Sequence, residues 1–164
     1  MIWADAVTGG RRGRAGLAAR DARGALGRAS ARPRRAWRPA ELDALVAIEG
    51  EERLGIATYE VAGEEAELVT LDALVPCRGV GRALIEAVAA TARTAGARRL
   101  RVMTTNDNLR ALRLYQRAGF RLEALRPGAV GAARDRKPSI PLSGAEGIPI
   151  RDEIDLVLEL GPRG

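Results

Sequence analysis

The sequence predicts an α/β (α+β) domain, a mixed central β-sheet flanked by helices, following an N-terminal segment of another character. Three observations carry this. Apolar side chains recur at strand spacing in three successive stretches from Leu45 to Val75, then at helical spacing from Gly79 to Ala95. Glycine or polar turn residues punctuate the stretches. The basic charge is confined to the first 38 residues: they hold ten Arg against two Asp, whereas the rest carries a balance of −2. The boundary is set at residue 40, with an Arg/Ala/Gly-rich segment over 1–40 and the folded domain over 41–164.

Within the domain each element has a local reason. Leu45-Val46-Ala47-Ile48 reads as a strand and Glu49-Gly50-Glu51-Glu52 as a turn, with Leu54–Val61 closing a β-hairpin with a longer loop. After Ala62-Gly63-Glu64-Glu65 a third strand runs from Ala66 to Val75. Strict alternation puts Leu68, Thr70, Asp72 and Leu74 on one face of it. Pro76 ends that ladder because it has no N–H to donate. Gly79–Ala95 is a helix with Val80, Leu84, Val88, Ala92 and Ala95 on one face, closed by Gly96. Arg99–Thr104 is a strand, and Asn106-Asp107-Asn108 supplies capping side chains for a helix ending at Gly119. Phe120–Leu125 and Ile154–Leu160 are strands, separated by a loop with a short helix near Val130–Arg136. The helix crossover makes the strands at 66–75 and 99–104 parallel neighbours, while the hairpin is antiparallel.

Composition excludes several chemistries. At 164 residues one domain can bury a core, and with 46% apolar but 3% aromatic residues it is built from Leu, Val, Ile and Ala. No apolar run reaches the roughly 18 residues of a membrane span, and no signal-peptide pattern is present. The single cysteine, Cys77, forbids an intrachain disulfide and fits a reducing cytoplasm. Without histidine, Ser-His-Asp triads, HExxH zinc sites and imidazole bases are excluded, and no metal is expected. The segment over 1–40 reads as a poorly ordered or weakly helical tail. Its charge also suits a nucleic-acid arm, but Trp3 and Trp37 are its only stacking side chains, so nucleic acid is not the favoured partner.

The most informative stretch is Leu74-Val75-Pro76-Cys77-Arg78-Gly79-Val80-Gly81-Arg82-Ala83, where a strand ends, a glycine turn follows and a helix begins. The first N–H groups of a helix lack internal partners and sit at the positive end of its dipole. Glycines let a pyrophosphate approach them, and Arg78 and Arg82 add neutralising charge. A dinucleotide-binding turn is the competing reading, but it wants an acid about 20 residues on. The next strand instead ends Met103-Thr104-Thr105-Asn106.

With Asn108-Leu109-Arg110-Ala111 and Tyr115-Gln116-Arg117-Ala118-Gly119-Phe120 following in order, residues 42–160 resemble the GNAT superfamily of N-acyltransferases. The resemblance implies the acyl-CoA N-acyltransferase fold, with an atypical N-terminus, and acetyl-CoA as co-substrate lying between two splayed strands. It implies that Leu74 and Val75 offer backbone groups to the pantetheine arm and that Arg78, Gly79, Val80, Gly81, Arg82 and Ala83 hold the pyrophosphate. Asn108 is implied beside the pantetheine, and Tyr115 near the sulfur as general acid. Pro76 replaces the Gln or Arg common at that position, which removes a side-chain contact. Asp72, Glu67 or a water relay is the candidate base. A core role for Tyr115 and a solvated one for Asp72 stay open, and Cys77 beside a helix start is a weaker nucleophile reading.

The acceptor implied is a small-molecule or protein amine, with no membrane partner and a homodimer as one assembly. The proline-bearing loop around Lys137–Pro141 and Gly147–Glu153 is a candidate lid or acceptor-binding element. The family's first strand and helices are not recognisable in 1–40. Shifted by one base, one choice of GC-rich codons for residues 24–38 reads Ala-Arg-Trp-Gly and, a few residues later, Arg-Val-Ala-Arg-Gly, which resembles the segment preceding the family's first hairpin. The rival expectation is therefore a coenzyme-binding but catalytically deficient remnant with a truncated or frame-shifted N-terminus.

Overall fold

The computed structural model describes residues 3–7, 42–75, 79–135 and 137–161. They form two compact units, the first ending at Leu100 and taking in the chain again from Glu159, the second spanning Arg101 to Leu158. The described strands, β1 (Trp3–Val7), β2 (Asp43–Glu49), β3 (Glu52–Ala62), β4 (Glu65–Ala73), β5 (Arg99–Thr105), β6 (Arg121–Arg126) and β7 (Glu153–Glu159), follow the order β1-β2-β3-β4-β5-β7-β6. No described helix is long and apolar enough to cross a membrane.

The first unit opens with β1 (Trp3–Val7), which pairs antiparallel with β2 (Asp43–Glu49). Sequence reading placed no strand there, because five residues rich in alanine and flanked by an Arg/Gly tract show too little alternation. The rest of the expected tail lies outside the described residues. β2, β3 (Glu52–Ala62) and β4 (Glu65–Ala73) form an antiparallel meander. Both connections are two-residue turns opening on a glycine at positive φ, Gly50 at 62° and Gly63 at 65°. The first loop is thus shorter than expected, since Glu49 and Glu52 pair across the ladder instead of lying in the turn.

Helix α1 (Val80–Thr94) buries Val80, Leu84, Ile85, Val88, Ala89 and Ala92 against this meander, as its apolar spacing requires. Gly96, at φ 101°, follows its end in the left-handed conformation expected of a helix-stopping glycine. Leu45, Ala47, Ala57, Tyr59, Ala66 and Leu68 supply the sheet side of the core. Burial, then the nearby Asp43 carboxylate, raises the Tyr59 phenol above its ordinary pKa, and a hydrogen bond with Thr91 of α1 works the other way.

Face assignment along β4 differs from strict alternation. Thr58 pairs with Thr70 but Tyr59 pairs with Leu68, leaving Val69 as an extra residue. Opposite residues of an antiparallel ladder share a face, so this bulge puts Leu68 on the Tyr59 face and Thr70 and Asp72 on the other. The expected Leu68–Thr70–Asp72–Leu74 face is therefore broken at Val69.

The second unit takes up β5 (Arg99–Thr105) from Arg101 and continues through α2 (Leu109–Arg117), β6 (Arg121–Arg126), α3 (Ala129–Arg134) and β7 (Glu153–Glu159). β6 and β7 are antiparallel. Asp155, 3% exposed, is paired with Arg126, and Arg101 with Glu123 at 2.5 Å. Desolvation by burial raises the Asp155 carboxyl above the ordinary carboxylate range, against the lowering pull of Arg126 and Arg101.

Candidate active site

In the first unit, β4 ends at Ala73, and Leu74 and Val75 follow as a bend. The Leu74 N–H still donates to the Leu54 carbonyl at 2.8 Å. Only its carbonyl is left to meet a pantetheine, which narrows the expected backbone role. Its side chain is 61% exposed and takes no part in the core. Arg78, with Pro76 and Cys77, lies outside the described residues.

Gly79 is the N-cap of α1 at φ 74° and ψ 4°, a left-handed conformation that side chains disfavour, and no side chain caps the helix. The first turn contains no acid. The Ala83 N–H closes the first helical bond, to the Gly79 carbonyl at 3.0 Å. Ala83 is therefore not one of the unpaired donors, and an anion at this end would meet the N–H groups of Val80, Gly81 and Arg82. The Arg82 guanidinium, expected to face phosphate, instead pairs with Glu86 at 2.8 Å. Both side chains are largely exposed, so this pair is weak enough to exchange for a phosphate.

Gly55, which sequence reasoning did not single out, sets how closely α1 approaches the sheet. A Cβ there would lie 2.7 Å from the Asp72 carbonyl oxygen, 2.8 Å from Val80 Cγ1 and 3.2 Å from Leu84 Cδ1. The helix start and the end of β4 are thus brought together over a missing side chain. A glycine inside a strand is the signal that could have found it. Asp72 pairs with Ile56 across the ladder, on the face away from α1. Two pairs along the ladder, on the same face, Thr58 and Thr70 join hydroxyls at 2.7 Å. Glu67 faces Glu60 across the strand.

In the second unit, Asn108 is the N-cap of α2, its Oδ1 accepting from the Ala111 N–H at 3.1 Å. Tyr115 is buried on this helix, its ring centroid 5.6 Å from that of Phe120 in a tilted contact. Gly119 at φ 96° turns the chain back, and the Phe120 N–H donates to the Tyr115 carbonyl at 3.0 Å. The block from Asn108 to Phe120 is thereby one self-bonded unit that fixes the tyrosine's position.

The long loop is built, not loose. Asn106 Oδ1 accepts from the N–H groups of Arg151 (2.9 Å) and Asp152 (3.0 Å), and its Nδ2 donates to the Pro149 carbonyl at 3.0 Å. Arg134 donates to the carbonyls of Ile140, Pro141 and Ile150. Val130, Ile140 and Ile150 close a small core with Ala133 beneath. Asn106 reads in sequence as one of three capping candidates and serves as a clamp. Nothing local marks Arg134, whose partners lie 6 to 16 residues on.

A profile of the acetyltransferase (GNAT) family matches residues 17–120. The uncharacterized protein YdhI of Bacillus subtilis (strain 168) is 41% identical over 115 residues, 70% of this chain and 72% of that protein. YxbD, from the same organism and also uncharacterized, is 41% identical over 107 residues, 65% of this chain and 67% of that one. Among solved structures, an IAA acetyltransferase from Bacillus cereus superposes with a TM-score of 0.64 at 25% identity, covering 74% of this chain and 79% of that one. A Bacillus subtilis acetyltransferase in complex with CoA gives 0.63 at 23%, covering 72% and 76%.

Proposed function

The chain belongs to the acetyltransferase (GNAT) family, and on that premise we propose that it transfers an acetyl group from acetyl-coenzyme A directly to an amine. The observation that carries the reading is the uncapped start of α1 behind a left-handed Gly79, held against the end of β4 by Gly55. This supports a pyrophosphate on the N–H groups of Val80, Gly81 and Arg82, with the charge of Arg78 one residue before Gly79 in the sequence. The exposed Leu74 and half-buried Val75, just past the end of β4, support a pantetheine arm running alongside them.

In the reaction the neutral amine attacks the thioester carbon, the carbon–sulfur bond breaks, and the sulfur leaves as a thiolate. Tyr115 gives its phenolic proton to that thiolate and is reprotonated from solvent. The attacking nitrogen loses its extra proton to Asp72, directly or through water. Asn108, its oxygen taken by the helix cap, presents its amide N–H groups to the pantetheine. The acceptor is a small-molecule or protein amine, and a cytoplasmic site of action fits the lone cysteine.

Calorimetric titration with acetyl-CoA, run beside free-thiol release over an amine panel, tests this. Binding with turnover supports the enzyme, whereas binding without turnover favours the coenzyme-binding remnant. No binding by the folded chain removes the proposal. Tyr115→Phe should keep acetyl-CoA affinity and lower kcat by about a hundred-fold or more. An unchanged kcat would make Tyr115 a packing residue for Phe120.

A further inference from the structure

Three polar residues, Asn106, Asp107 and Asn108, join β5 to α2, and the fold uses two of them. Asn106 clamps the loop through Pro149, Arg151 and Asp152, and Asn108 caps the helix by accepting from the Ala111 N–H. Asp107 does neither. Its Oδ1 is buried and has no hydrogen-bond partner among the described residues. Its Oδ2 lies against the loop at Gly144, where an added Cβ would come within 2.1 Å of it and within 2.9 Å of the carboxyl carbon. Any side chain at residue 144 would displace the carboxylate. Gly144 is itself fixed, its N–H donating to the Ile148 carbonyl at 2.9 Å and its carbonyl accepting from the Gly147 N–H at 3.1 Å.

Taking a carboxylate oxygen out of water without a donor is costly, and nearly every buried polar atom of a folded protein has a partner. Alanine at residue 107 would avoid that cost and leave both the clamp and the cap in place. The arginines nearest in this part of the fold, Arg110 and Arg151, are exposed, and neither bonds to Oδ1. A metal ion does not suit the position, because the described residues gather no set of three ligating side chains. The partner that fits a single carboxylate is a single cationic group brought by a ligand. Asp107 directly precedes Asn108, the residue assigned above to the pantetheine. Tyr115, assigned to the sulfur, stands eight residues on, about 12 Å along a helix axis, and helical side chains lean back toward the N-terminus. A chain of roughly four to six carbons spans what remains.

We propose that Asp107 holds the ammonium group of a diamine whose other nitrogen is acetylated. This rests on acetyl transfer to an amine and names the class of acceptor. The held nitrogen stays protonated and donates to Oδ1, while the reacting nitrogen is neutral and attacks the thioester. A monoamine leaves Oδ1 without a donor, and a site built around a polar contact rejects the analogue that lacks it.

The test is calorimetry on the full chain saturated with coenzyme A, comparing 1,5-diaminopentane with pentylamine. The diamine should bind about ten-fold tighter or more, and Asp107→Asn should erase that preference while coenzyme A still binds. In turnover, the ratio of kcat/KM for the diamine to that for pentylamine should fall about ten- to a hundred-fold in Asp107→Asn. Asp107→Glu, one carbon longer, should restore the preference for the shorter 1,4-diaminobutane. A wild type that binds coenzyme A but treats diamine and monoamine alike, or a preference that survives Asp107→Asn, would overturn the proposal and leave acetyl transfer standing. A wild type that binds no coenzyme A would overturn both.

Discussion

Gly55→Ala isolates the feature that holds the helix start against the strand end. The added methyl would sit 2.7 Å from the Asp72 carbonyl and 2.8 Å from Val80 Cγ1, both inside van der Waals contact. Val80 is buried and cannot swing clear, and the carbonyl belongs to a strand paired with β3. Either α1 must lift from the sheet or β4 must bend away. Overpacking of this kind costs about 1–3 kcal/mol, against a gain of about 0.5–1 kcal/mol from replacing glycine in a strand. The net expectation is a loss of about 1–2 kcal/mol, or about 2–8 °C in melting temperature for a chain of this size. The same shift misplaces the helix N–H groups relative to Leu74 and Val75, so acetyl-CoA affinity should fall even though residue 55 meets no ligand. Urea denaturation and calorimetry read the two effects separately. Gly131→Ala, with open space around it in α3, is the control and should be neutral or stabilising by up to about 1 kcal/mol. A Gly55→Ala protein as stable as the wild type, with unchanged affinity, would refute the reasoning.

Gly79→Ala should cost about 1–2 kcal/mol in strain at φ 74° and weaken acetyl-CoA binding, both seen by titration of the variant. Asn106→Ala removes the clamp on Pro149, Arg151 and Asp152 and should lower stability by about 1–3 kcal/mol. Limited proteolysis should then cut first within 137–150, and an unchanged digestion pattern would count against the clamp. The raised Asp155 carboxyl binds its proton more tightly in the folded chain than in the unfolded one. Its contribution to stability is therefore fully present below about pH 4, the unfolded value, and is lost as pH rises through the folded pKa. Urea midpoints measured upward from pH 4 should fall more steeply for wild type than for Asp155→Asn.

Much of this molecule was legible because each clue was local. The period-3.6 face of α1, the glycines at 96 and 119 and the Asn108 cap all depend on residues within two turns. The strand–glycine–helix junction and the block ending at Tyr115 and Phe120 were readable for the same reason. What escaped depended on partners far along the chain. β1 is defined by its pairing with β2, whose partner residues lie 37 to 45 positions on, rather than by its own alternation. Arg134 earns its position through carbonyls of a loop that has no periodicity of its own.

The bulges show why strict alternation misleads here in a systematic way. A single extra residue inverts every face assignment beyond it, so an error of one position is inherited by the rest of the strand. In β4 the extra residue is Val69, and the inversion turns Asp72 away from the helix-covered core that Leu68 enters. A carboxylate on the core face would have to be neutralised or buried in an ion pair, whereas on the opposite face it can serve as a base. In β6 the extra residue is Glu123, and the same inversion places Leu122 beside Leu125. Deleting Glu123 should therefore do more than shorten an edge: it would remove the bulge from β6 and, with it, the acid that pairs with Arg101. A chain lacking Glu123 that resists urea as well as the wild type would mean that neither the bulge nor the Arg101 pair holds β6 in place.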